Sequence, residues 1–289
     1  MLKKIAALLL AAAVICAAAS CNSKPAAPDD AGKINVAVSF DALKEFTEAV
    51  AGDKAAISVI IPEGTEPHDF EPKAQDLGWL RKAQIFVMNG LGMEPWAEGA
   101  VKAADNASLI TVDASVGMAQ IDGDPHIWLS PKCAETMVQN IRDALIKADP
   151  ANKAYYQANC DSYTASLEKL LSDYGAMFTA VQNKNFVTGH AAFAYLCRDF
   201  GLTQNSVEDV FAEGEPSAQQ MAALIDFCRT NHVTTVFSEA LMNADIADTL
   251  AREVGAKVVP IYTIESSESG KSYLQRMEEN LKVIYESLK

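Results

Sequence analysis

Only four histidines occur in this chain of 289 residues, and three of them stand at the ends of short apolar runs. His68 lies within Glu63–Pro72 (EGTEPHDFEP), directly after the apolar run Ile57–Ile61. His126 lies within Asp124–Pro131 (DPHIWLSP), just ahead of a helical pattern, and His190 closes Phe186–His190 (FVTGH). His232 falls between a helical pattern and the amino end of the next run, which reads as a solvent-facing loop position. A single loop histidine is more often a surface or hydrogen-bonded group than a ligand. Three imidazoles at the carboxyl ends of strands can instead converge on one cleft, where open parallel sheets bind their ligands. Neutral imidazole is a borderline-soft nitrogen donor and suits zinc, with bonds of about 2.0–2.1 Å. The spacing matches no local metal motif such as H-E-x-x-H, so at this level the hydrogen-bonded reading stays open beside the metal one. Cys133, Cys160, Cys197 and Cys228 show no C-x-x-C spacing that would make a thiolate site. They sit in apolar, helix-like contexts and could be buried thiols, or paired in any of three connectivities.

The elements that must position these residues alternate along the chain. Apolar runs at Ile34–Val38, Ile57–Ile61, Ile85–Met88 and Leu109–Val112 predict strands, with helices over Asp41–Val50, about Ala74–Lys82, and Pro131–Ala148. Ser130 and Pro131 supply the N-cap and first-turn residues of the last of these. Continuous apolar strands separated by helices predict parallel sheets covered on both faces. From Ala151 to about Val181 the aromatic and leucine residues recur three and four apart, without a proline, which predicts one helix of roughly 30 residues. Alternation then resumes with strands at Asn185–Thr188, Val233–Phe237 and Lys257–Pro260 and helices over Ala191–Phe200, Ser217–Thr230, Ala244–Val254 and Ser272–Leu288. The expected architecture is α/β: two lobes with parallel β-sheets flanked by helices, joined by one long rigid helix. The boundaries are 33–150 for the first lobe, 151–183 for the linking helix and 184–289 for the second lobe. A helix without an internal proline offers no hinge, so ligand capture is expected to order loops rather than swing the lobes.

The first 32 residues belong outside this body. Lys3 and Lys4 precede an uncharged apolar run, Ile5–Ala18, and small residues lead to Cys21, so 1–20 reads as a secretory signal peptide. The segment resembles a bacterial lipobox, with Ala18 where leucine is usual. Lipidation of Cys21 and an ordinary signal peptide are the two readings, and the polar stretch 21–32 would then be a lipidated tether. Removing 1–20 leaves 22 basic against 38 acidic side chains, a net charge of −16. Such a body is a poor partner for nucleic acid or anionic headgroups and is compatible with a cationic ligand.

Several segments resemble, in order, the zinc- and manganese-binding proteins of bacterial ABC importers. Pro62–Pro72 is similar to that family's first ligand loop, Asn89–Trp96 to its turn after the third strand, Asp124–Pro131 to its second ligand loop and Val187–Tyr195 to its third. Phe237–Glu239 and Ala251–Val258 match later segments. The resemblance implies an extracytoplasmic, non-enzymatic and monomeric receptor, anchored to the cell membrane through its lipid. It would hold one transition-metal ion in the cleft on His68, His126 and His190 and deliver it to a permease.

The choice of metal rests on departures from the family's manganese pattern. Those members place a glutamate where this chain has His190, and an aspartate where Gly270–Tyr273 carries Lys271. Both departures remove a hard oxygen donor, which points to Zn2+, with Mn2+ as the alternative. The long His-rich loop of many zinc-type relatives is absent from Ala114–Gly123. Glu239, after the Val233–Phe237 run, is the first candidate for a fourth ligand, its other reading being a residue that orients a histidine or bound water. Glu265 and Glu268 follow it. A zinc-dependent hydrolase also uses three histidines with an open position, but nothing in the sequence marks its base or substrate pocket. Ligation by histidine predicts that binding weakens as the pH falls through the ordinary imidazole range, near 6–7.

Overall fold

The computed structural model describes residues 32–74, 76–121, 123–210, 217–241 and 244–289. The segment expected to be a signal peptide, Cys21 and all but the last residue of the expected tether lie outside the described residues. Strands β1 (Ile34–Val38), β2 (Ala55–Val59), β3 (Ile85–Met88) and β4 (Ile110–Asp113) form a parallel sheet in the order β2-β1-β3-β4. Strands β5 (Asn185–Thr188), β6 (Thr203–Ser206), β7 (Thr235–Ser238) and β8 (Lys257–Pro260) repeat that arrangement as β6-β5-β7-β8. In each sheet the order reverses at the first strand, and in such sheets the crevice beyond the carboxyl ends of the strands is where ligands sit. The apolar β1 and β3 are buried on both faces because helices cover both sides.

Helices α1 (Asp41–Ala51), α2 (Leu77–Leu80), α3 (Ala97–Ala104) and α4 (Pro131–Ala148) belong to the first half of the chain. Helix α4 starts where the sequence places it, with the Ser130 hydroxyl accepting from the Cys133 amide at 2.9 Å and Pro131 in the first turn. Helix α5 (Lys153–Ala180) is the long linking helix, 28 residues behind a short 3-10 turn at Pro150–Asn152. It buries Tyr156, Cys160, Leu167, Leu170, Tyr174 and Phe178, the three-and-four spacing that the sequence shows. Helices α6 (Ala194–Phe200), α7 (Ala218–Thr230), α8 (Ala244–Val254) and α9 (Tyr273–Ser287) follow. The residues from 33 onward form one unit, with a continuous core running from β1 and α1 through α4 and α5 to α9.

Some elements depart from expectation for local reasons. The helix expected over Ala74–Lys82 shrinks to the four residues of α2, because the Asp76 carboxylate accepts from the Lys73 amide at 2.7 Å and holds a turn there. The polar run Thr203–Ser206 carries no β signal, yet it pairs along β5 as an edge strand. Helix α6 begins at Ala194 rather than Ala191, since the Gln204 side chain accepts from the Phe193 amide at 2.8 Å and donates to the His190 carbonyl at 2.8 Å. The last helix returns to the first half of the chain. Tyr273 packs edge-on against Phe46 with ring centroids 4.6 Å apart and donates to the Trp128 carbonyl at 2.7 Å. The four cysteines of the body are buried free thiols. Among the described residues no helix is long and apolar enough to cross a membrane.

Candidate metal centre

Each histidine is delivered by the carboxyl end of a strand. Beyond β2 the ladder continues through Ile60 and Ile61, whose amides donate to Val38 and Ser39 at 2.9 Å each, before the chain turns into the His68 loop. His126 stands between β4 and the short turn Ile127–Leu129 that leads into α4. His190 directly follows β5 and Gly189. The three side chains meet: His68 Nε2 is 3.1 Å from His126 Nε2, and His190 Nε2 is 3.3 Å from the same atom. A tetrahedral ion with bonds of about 2.0–2.1 Å separates its ligands by about 3.3–3.4 Å, so these spacings fit a zinc-sized ion among the three nitrogens. His232 is exposed in a turn with φ of 53° and takes no part.

The carboxylate that lies with the three imidazoles is that of Glu265, and Glu239 lies outside this group. One ligand atom from each of His68, His126, His190 and Glu265 lies within 4.8 Å of all the others. Glu265 follows β8 on a strap that turns sharply at Ile264, where φ is 57°. One of its oxygens accepts from the Thr263 hydroxyl at 2.8 Å, and the other is buried without a hydrogen-bond partner. Glu239, the first candidate from sequence, stands behind His190. Its carboxylate accepts from the Gly189 amide at 3.1 Å and the His190 amide at 3.4 Å, and lies 3.8 Å from His190 Nδ1. A side chain at position 189 would put its Cβ 2.0 Å from Glu239 Oε2, so the approach requires glycine. Glu268 is not in the cluster, and Lys271 turns to the Glu279 carboxylate at 2.6 Å and the Tyr262 hydroxyl at 3.1 Å.

Sequence reasoning did not single out Asp124, although it lies in the quoted His126 segment. Its Oδ1 receives both the backbone amide and Nδ1 of His126, each at 2.8 Å. That contact assigns the proton to Nδ1 and turns the Nε2 lone pair toward the cluster. The aspartate two residues before the histidine was the available signal.

Burial governs the charges here. It drives His68 down to about 4 and His126 down to about 3. His190 also falls far below the ordinary imidazole range, through burial and then the neighbouring imidazoles. All three are therefore neutral donors at physiological pH. Burial and the nearby Glu66 charge hold the Glu265 carboxyl well above its usual range, and burial raises Glu239 to about 8 and Asp124 to about 6. A buried carboxyl that resists ionisation beside three neutral nitrogens is a place where a cation is favoured.

Two similar sheets on one long helix, with ligand groups drawn from the strand ends of both, define a two-lobed binding protein. Residues 36–287 match the family described as zinc-uptake complex component A, periplasmic, and the chain belongs to that family. It is 40% identical over 96% of its length to a Treponema pallidum (strain Nichols) protein, 94% of which is covered and whose name assigns it metal binding provisionally. It is 32% identical to the high-affinity zinc uptake system protein ZnuA of Bacillus subtilis (strain 168), over 100% of this chain and 99% of that one. Among solved structures, the Zn(II)-bound ZnuA-like domain of Streptococcus pneumoniae AdcA is 34% identical with a TM-score of 0.79, covering 89% of this chain and 99% of that domain.

Proposed function

We propose that the protein captures Zn2+ outside the cytoplasm on His68, His126, His190 and Glu265 and hands it to the permease of an ABC importer. In this reading it acts as a monomer, tethered by a lipid on Cys21. The observation that carries the proposal is the convergence of three Nε2 atoms, 3.1 and 3.3 Å apart, with a buried carboxylate. Three nitrogens and one oxygen suit zinc, whereas manganese favours a set richer in carboxylate and water. The names of the zinc-uptake relatives support the same metal and the same transport role. Placing Glu265 in the fourth position also favours capture over hydrolysis, because a catalytic zinc keeps that position open for water. Asp124 holds His126 in the ligating tautomer, and Glu239 fixes the backbone that presents His190.

Elemental analysis of the purified protein, followed by direct titration with each metal, tests the assignment. One equivalent of zinc is expected, with zinc favoured over manganese by about a hundredfold or more on the basis of the donor set. Equal or tighter manganese binding would rule out a zinc receptor.

A further inference from the structure

The strap Tyr262–Ser266 carries Glu265, and the last helix grips it at both ends. Asn280 accepts from the Tyr262 amide at 2.9 Å and donates to the Tyr262 carbonyl at 2.7 Å. One turn earlier on the same buried face, Arg276 donates to the Ser266 carbonyl at 2.5 Å. Arg276 is fully buried, and its second terminal nitrogen, Nη2, pairs with Asp41 at 2.9 Å and with Glu45, both on α1. A buried guanidinium needs such partners, and its planar fork fixes directions that an ammonium would not.

The strap is also tied to the first two histidine segments. The Ser266 hydroxyl accepts from the Gly64 amide at 2.6 Å, in the loop that carries His68. The Trp128 indole donates to the Thr263 carbonyl at 2.7 Å, two residues beyond His126. The Asp41 amide at the start of α1 reaches the Glu265 carbonyl itself at 3.4 Å. Between these ties Ile264 adopts φ of 57°, a conformation that a β-branched residue rarely takes unless its surroundings hold it there. The turn aims the following side chain, that of Glu265, at the three imidazoles.

We infer that Arg276 and Asn280 on α9, together with Ser266, are positioning residues that hold Glu265 in register with the histidines, so that the terminal helix sets how tightly the ion is kept. The inference rests on the reading of Glu265 as a ligand. Residues that orient a metal ligand without touching the ion typically change affinity by about 10–100-fold when removed. Ser266→Ala is the mildest probe, since it deletes one acceptor and leaves the exposed Gly64 amide free to bond water.

The test is a double-mutant cycle on the full chain, reading zinc dissociation rate and affinity by competition with a chromophoric chelator. Ser266→Ala is expected to speed dissociation about tenfold while leaving the unfolding midpoint of the metal-free protein nearly unchanged. In a Glu265→Gln background the same change should have no further effect, because the group being positioned is gone. Arg276→Lys keeps the charge beside Asp41 and Glu45 but gives up the fork, and should show the same dependence of zinc dissociation on Glu265, with a lower unfolding midpoint in both backgrounds. An equal loss from Ser266→Ala in both backgrounds would show a merely structural role and overturn the inference. No loss from either variant in the wild-type background would overturn it while the ligand reading stands. Wild-type affinity in Glu265→Gln alone would remove the ligand reading, and the inference with it.

Discussion

Titrating zinc affinity between pH 7.5 and 5.5 measures how deeply the three imidazoles are buried. An ordinary histidine, with a pKa near 6.5, is about 90% protonated at pH 5.5, and each protonated ligand costs about tenfold in affinity. Three such ligands would lose about a thousandfold across this window. In the folded protein burial holds His68 at about 4 and His126 at about 3, with His190 lower still. At pH 5.5 a group at 4 is only about 3% protonated, so the histidines contribute almost nothing to the slope. The carboxyls act instead. Glu265, raised by burial and by Glu66, must lose its proton to ligate, so affinity falls as the pH drops below its raised pKa. One proton limits that loss to about tenfold per pH unit, roughly a hundredfold over the window. Asp124, held at about 6 by burial, adds a smaller loss below that pH. Calorimetry in buffers of different ionisation enthalpy counts the released protons. About one is expected, and in Glu265→Gln the affinity should vary by no more than about fivefold over the window. A thousandfold loss that persists in Glu265→Gln, with close to three protons released at pH 5.5, would refute burial as the controlling effect. The sequence alone, with unperturbed histidines, leads to that other outcome.

Asp124→Asn removes the charge behind His126 while keeping an acceptor, and should weaken zinc binding by about 10–100-fold with little change in the unfolding midpoint of the metal-free protein; unchanged affinity would refute the orienting role. Gly189→Ala sets a methyl 2.0 Å from Glu239 Oε2 and should cost about 1–3 kcal/mol of stability in denaturant unfolding, with weaker zinc binding as the His190 backbone shifts. Cys21→Ser should leave zinc affinity intact and move the protein from the membrane fraction to the soluble one, because a lipid anchor would be lost; tight membrane association of the variant would remove the lipid from the account.

Much of this protein could be read from its residues. The period of the apolar positions placed β1, β3, α4, α5 and α8 to within a residue or two, because a strand buried on both faces and a helix with one buried face each impose a spacing on the sequence. The same logic put three histidines at strand ends, the side of a parallel sheet where loops converge. Contacts between distant segments were not legible. Glu265 and Glu239 both follow strands of the second sheet, and nothing in their neighbourhoods says which one reaches the imidazoles. The left-handed turn at Ile264 and the strap's ties to Gly64, Trp128 and Arg276 decide that, and those partners lie up to 202 residues away in the chain. The terminal helix follows β8 in the sequence, and nothing there shows that Tyr273 packs against Phe46 and that Arg276 pairs with Asp41 and Glu45, all three on α1. The histidines' proton affinities likewise depend on how completely the assembled lobes exclude water. Periodicity is written residue by residue, but burial and long-range pairing exist only once the chain has closed.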